Sequence, residues 1–196
     1  MNRVSARTVT WLLVLVALAV TQVLQSHLPD PTSSSRPFDR TGKVGQTIAL
    51  RSGDLEVTTV RGATSAVVGS PPGFRSPGVI VVASFTWSAR TERATLSAGE
   101  LRASSGRTYV VSAVGLDRGR IDCGASSPGL VRQCTVLVEA PPDALEGATL
   151  VLSPTDDGRF DDEAVVDLGI DAATAARWAR TGAITVPGGH YVGQAP

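Results

Sequence analysis

The segment GVIVVASFTWSAR, residues 78–90, constrains the fold more than any other part of the chain. Val79, Val81, Ala83, Phe85 and Trp87 fall on one face of an extended strand, and Ile80, Val82, Ser84, Thr86 and Ser88 on the other. That period of two belongs to a β-strand, because successive side chains of a pleated backbone point to opposite sides. The second face changes from apolar to polar along the strand, as in a central strand that emerges from a core. A chain with such a strand needs neighbours on both sides of it.

The neighbours are legible as further short strands separated by turn residues. GQTIALRSGDLEVTTVRGA predicts two strands turning at Ser52-Gly53-Asp54. Residues 95–103 and 107–114 predict another pair joined by Ser104-Ser105-Gly106, and residues 133–140 and 149–153 add two more. Several short strands with turns between them predict an all-β sandwich. One short helix is expected near 171–181, with Asp171 as N-cap and Gly182 closing it. Its alanines allow close packing, and Trp178 is its anchor on the sheet.

Ahead of this body lies VTWLLVLVALAVTQVL, residues 9–24, an apolar run without a charge that follows Arg3 and Arg7. As a helix it would span about 24 Å, and Thr8, Gln25 and Ser26 bring it closer to the roughly 30 Å of a bilayer core. The run therefore predicts a transmembrane signal anchor over 9–26, with residues 1–8 cytoplasmic and the remainder outside the cell. The same features fit a cleaved signal peptide, with a small-x-small site at Ala17-Leu18-Ala19. Residues 27–41, rich in Ser and Pro, read as a flexible linker. The sandwich is expected over 42–187, followed by a tail at 188–196.

Composition removes some function classes. The 196 residues carry 18 basic and 18 acidic side chains, and Lys43 is the only lysine. No basic excess points to nucleic acid. Cys123 and Cys134, the only cysteines, read as a disulfide in an exported chain, closing the loop CGASSPGLVRQC. They lack the spacing of a zinc site or a CxxC redox motif.

The order VGQTIALRSGDLEVTTV, VIVVASFTW, LRASSGRTYVVS, CTVLVEAPPDALEGATLVLSP resembles the telokin-like, immunoglobulin-like modules of bacterial exported lipoproteins and membrane proteins of unknown function. Val44-Gly45, the strand at 55–60, the long strand at 79–87 and the turn from Gly106 to Tyr109 carry the likeness. Where such modules place an Asn at the end of the long strand, this chain has Ser88-Ala89-Arg90. The resemblance implies a non-catalytic interaction domain with an immunoglobulin-like fold and transfers no active-site residues.

Candidate chemistry is sparse. Asp156, Asp157, Asp161, Asp162 and Glu163 form an acidic stretch, DDGRFDDE, of the residue type that calcium prefers. The spacing is not that of an EF-hand, Arg159 interrupts it, and a solvated loop explains it without a ligand. No Gly-x-Ser-x-Gly elbow is present. His27 and His190 read as a solvated linker residue and an exposed tail residue. Phe74 and Arg75 lie in a Pro- and Gly-rich stretch, 69–78, that reads as a long loop at one end of the sandwich and could carry recognition. The sequence thus predicts a membrane-anchored extracytoplasmic domain that is not an enzyme, needs no cofactor, and binds a protein partner in an envelope or transport complex. The rivals are an envelope hydrolase or metal-dependent enzyme using residues 156–163, and a purely structural envelope protein.

Overall fold

The computed structural model describes residues 6–27, 37–69, 73–96, 98–111, 123–154, 161–188 and 190–192. The chain divides into two units, Met1–Arg36 and Pro37–Pro196.

The first unit holds the helix α1, Ala6–His27. Among the described residues no helix is long and apolar enough to cross a membrane. The transmembrane span expected over 9–26 is therefore not supported. Leu13, Leu15, Leu18 and Val23 are each more than half exposed. Within the helix, the Thr21 hydroxyl donates to the Ala17 carbonyl at 2.8 Å.

The second unit is a β-sandwich. One sheet runs β1 (Phe38–Lys43), β9 (Asp162–Asp167), β8 (Thr149–Ser153), β5 (Ala98–Arg102) and β6 (Thr108–Val110). The other runs β10 (Ala183–Val186), β3 (Gly53–Val68), β4 (Phe74–Ala89), β7 (Val131–Ala140) and β11 (His190–Tyr191), with β2 (Thr47–Ala49) also paired to β3. The all-β reading and the sandwich thus stand. Two pairings are parallel, β1 with β9 and β10 with β3; the rest are antiparallel.

Strand β4 is central, between β3 and β7, as its two-faced pattern requires. Val79, Val81, Ala83, Phe85 and Trp87 all enter the main core between the sheets, with Phe85 and Trp87 fully buried. The Trp87 indole N–H donates to the Ala94 carbonyl at 3.2 Å, which satisfies the one polar atom that its burial would otherwise orphan. Ile80 and Val82, on the opposite face, enter a second cluster with Ala66, Leu137 and Val186.

Chain reach explains what covers that second face. Phe74 and Thr86 lie twelve positions apart on β4, about 40 Å if extended. Phe74 pairs with Ala66 near the end of β3, and Thr86 pairs with Gln133. Yet Val186, beside Val68, is joined to His190, beside Gln133, through residues 187–189 alone, a reach of at most about 14 Å. The outer part of the β3–β4 hairpin must therefore fold back over the sheet. The register breaks between Ala63 and Ser65, opposite 76–79, provide the bend. Folding back lays Val68, Phe74 and Ile184 against the second cluster.

This geometry corrects the reading of 69–78 as a long loop. Strand β4 begins at Phe74, which is half-buried against the second cluster, while Arg75 is exposed opposite Ser65. Two other boundaries also move. Residues 38–41, read as linker, belong to β1, and His190, read as an exposed tail residue, is a half-buried member of β11.

Helix α2 (Ala172–Trp178) follows Asp171, whose carboxylate accepts from the Thr174 N–H at 2.7 Å. Trp178 lies over Gly62 of β3, where a Cβ would come within 2.4 Å of its ring. A helix of this length is marginal alone and is held by that contact. Cys123 and Cys134 form a disulfide, and Cys134 sits opposite Phe85 in the β4–β7 ladder.

Candidate functional site

One concave feature among the described residues is a groove of about 550 Å³, open to solvent, where the end of β6 faces the end of β7. Pro77, Gly78, Thr108, Tyr109, Val110, Glu139, Ala140, Pro141 and Pro142 line it. Three local choices in the sequence build it. At the bend of β4, the Ser76 hydroxyl accepts from the Gly78 N–H at 2.9 Å and donates to the Glu139 carboxylate at 2.5 Å. Gly78 lies against the Ala140 carbonyl, where a Cβ would come within 2.7 Å, so a side chain there would push β4 away from β7. Pro141 and Pro142 then end β7, since neither can donate to a ladder, and start a short 3-10 turn, Pro142–Ala144.

The electrostatics of the groove centre on Glu139. Nearby Asp143 is paired with Arg107 at 2.7 Å, and that hydrogen bond holds its carboxyl below the usual carboxylate range. Among the described residues no cation pairs with Glu139; Ser76 is its hydrogen-bond partner. The groove is therefore mostly apolar, with one carboxylate on its wall.

The acidic stretch is arranged quite differently. Asp156 and Asp157 lie outside the described residues. Asp161 adjoins Arg51 at 3.9 Å. Asp162 and Glu163 are not in a solvated loop, as the sequence suggested, but buried at the start of β9, at 1% and 5% exposure. The Asp162 carboxylate accepts from the Arg51 backbone N–H at 3.0 and 3.1 Å and from Arg40 Nε at 3.3 Å. Glu163 is held by Arg102 at 2.8 Å, and Arg102 also pairs with Glu100 at 2.5 Å. Burial raises the Glu163 pKa above the ordinary glutamate value, and the opposing pull of Arg102 only partly offsets it. These contacts tie β9 to β1, to β5 and to the residue after Leu50. Among the described residues no group of three or more His, Cys, Asp or Glu side chains is placed to hold a metal ion.

The remaining sequence candidates are dispersed. Phe74 faces the second cluster, and Arg75 is exposed one position beyond it. His27 is the last residue of α1, and His190 Nδ1 is 3.1 Å from the Gly188 carbonyl. The groove residues escaped sequence reading, although Pro77, Pro141 and Pro142 were a signal. Each marks a place where a strand cannot continue its ladder.

No family model and no curated protein matches the sequence. Two solved structures match part of the chain. One is an uncharacterized β-sandwich protein from Clostridium difficile, 12% identical, covering 71% of this chain and 99% of its own, with a TM-score of 0.44. The other is the yjhA protein from Bacillus subtilis, 15% identical, covering 64% of this chain and 99% of its own, with a TM-score of 0.45.

Proposed function

We propose that this protein is an extracytoplasmic binding domain, held at a membrane by its N-terminal apolar helix, that engages a protein partner of the cell envelope. The observation that carries the reading is the mostly apolar groove between β6 and β7, on a sandwich whose buried acidic residues Asp162 and Glu163 are already committed to arginines. Grooves that combine apolar walls with few polar groups are the common form of recognition sites. The Cys123–Cys134 disulfide favours an oxidising compartment. The exposed leucines and valines of α1 favour a lipid or protein surface around that helix. The immunoglobulin-like, telokin-like assignment belongs to the same reading, since such modules act by binding.

The test is photo-crosslinking in the native membrane, with a benzophenone amino acid placed in turn at exposed positions over the sandwich. At least one position should give a discrete adduct with a defined protein. Adducts at none of them would refute the binding reading and favour a purely structural role. Carbonate extraction of the same membranes should leave the chain in the pellet.

A further inference from the structure

We propose that the groove takes an extended peptide segment of the partner as an added strand on β6, with a lysine or arginine of that segment set against Glu139. The inference rests on the binding reading and specifies its partner by chemistry.

The first observation is a sheet edge without a second strand among the described residues. Strand β6 ends its sheet and pairs with β5 alone among the described residues. The Val111 N–H donates to the Gly99 carbonyl, and the Arg107 carbonyl accepts from the Ala103 N–H, so both of these groups point toward the β5 side. Residues of an antiparallel strand alternate, so Arg107, Tyr109 and Val111 turn their backbone groups toward β5. Thr108 and Val110 then turn theirs outward. Their side chains are exposed, Val110 at 65%. Such an edge offers a donor and an acceptor at every second residue, and an extended peptide supplies their complement.

The second observation is where that edge opens. It faces the groove, whose far wall is the end of β7 and the Pro141-Pro142 turn. A strand laid on β6 would rest its apolar side chains on Tyr109, Val110, Pro77 and Pro141. Charge then selects among such strands. Glu139 is half-buried on the groove wall, and Arg107, the cation nearest in sequence to β6, is committed to Asp143. A basic side chain would give Glu139 a charge-assisted partner, whereas an acidic one would be repelled by it.

The probe is a synthetic nine-residue peptide of alternating valine and threonine with one central lysine, labelled with a fluorophore. Its binding to the full chain in detergent micelles is read by fluorescence anisotropy. Changing the central lysine to glutamate, or Glu139→Gln in the protein, should each weaken binding about tenfold, the scale of one charge-assisted hydrogen bond. Val110→Pro removes an outward N–H that β5 does not use, so it should abolish binding while thermal unfolding stays close to wild type. Should that variant misfold, the peptide methylated at alternate amide nitrogens carries the same test with the protein unchanged, and it should not bind. The proposal is overturned by no binding at millimolar peptide, by binding indifferent to the lysine and to Glu139, or by an N-methylated peptide that binds as well as its parent. It is also overturned if the edge is occupied by a second copy of the chain, seen as a dimer that Val110→Pro dissolves. Crosslinks to a partner from other faces but none from Thr108 or Val110 would overturn this inference and leave the binding reading intact.

Discussion

Replacing Asp162 by alanine separates a structural acidic cluster from a functional one. The side chain is 1% exposed and accepts from the Arg51 backbone N–H at 3.0 and 3.1 Å and from Arg40 at 3.3 Å. Truncation leaves the Arg51 N–H without its acceptor, which costs about 1–3 kcal/mol. The Arg40 side chain is 54% exposed, so its pairing is screened and contributes under about 1 kcal/mol. Relief of the carboxylate's own desolvation offsets part of the loss. The net expectation for Asp162→Ala is about 1–3 kcal/mol of destabilisation, or a fall in Tm of about 3–10 °C for a domain of this size. Asp162→Asn keeps one acceptor for the Arg51 N–H and should lose less than half as much. Arg40→Ala should stay within about 1 kcal/mol of wild type. Thermal unfolding followed by near-ultraviolet circular dichroism gives all three values. The reasoning is refuted if Asp162→Ala falls within about 0.5 kcal/mol of wild type, the range of an ordinary surface change. It is equally refuted if Arg40→Ala costs as much as Asp162→Ala.

Other perturbations reach different parts of the account. Gly62→Ala forces a Cβ into the Trp178 ring and should destabilise by about 1–3 kcal/mol, measurable by urea unfolding; a neutral result would remove α2 from the core. Opening the disulfide by Cys123→Ser with Cys134→Ser should lower stability by about 2–3 kcal/mol, and unreduced wild-type protein should resist thiol alkylation. The raised pKa of Glu163 makes the folded state bind its proton more tightly than the unfolded state does. Stability from this group is therefore full below the ordinary glutamate pKa and is lost as pH rises through the raised value. Glu163→Gln should flatten that part of the Tm-against-pH curve, and a slope unchanged by the substitution would contradict the assignment. Saturating calcium should leave Tm where a chelator leaves it, because Asp162 and Glu163 already have arginine partners.

The central part of the sandwich was legible because its signals are local. The alternation in 79–88 stated both faces of β4, and each face entered its own apolar cluster. Asp171 announced the start of α2 by its capping chemistry. Strands β1 and β9 were missed for a physical reason. Asp162 and Glu163 open β9 with buried charge, a pattern that reads as loop until their partners are known. Those partners, Arg40, Arg51 and Arg102, lie 122, 111 and 61 positions away, and no local pattern announces them. The hairpin that folds back at 63–65 and 76–79 was hidden in the same way. Its glycines and prolines were visible, but they were read as a loop because the strand pairing resumes only beyond the bend at Phe74. The groove followed from that bend and was not foreseen. The apolar run at 9–24 was plain as a helix, whereas its predicted span of a membrane gained no support among the described residues.

The most direct test of the central claim places the benzophenone amino acid at Val110 in intact cells, irradiates them, and then adds protease outside. The account requires a discrete adduct with one partner protein that external protease digests without lysis of the cells. No adduct at Val110 would contradict strand addition on β6, and an adduct that survives until the cells are lysed would contradict the extracytoplasmic placement.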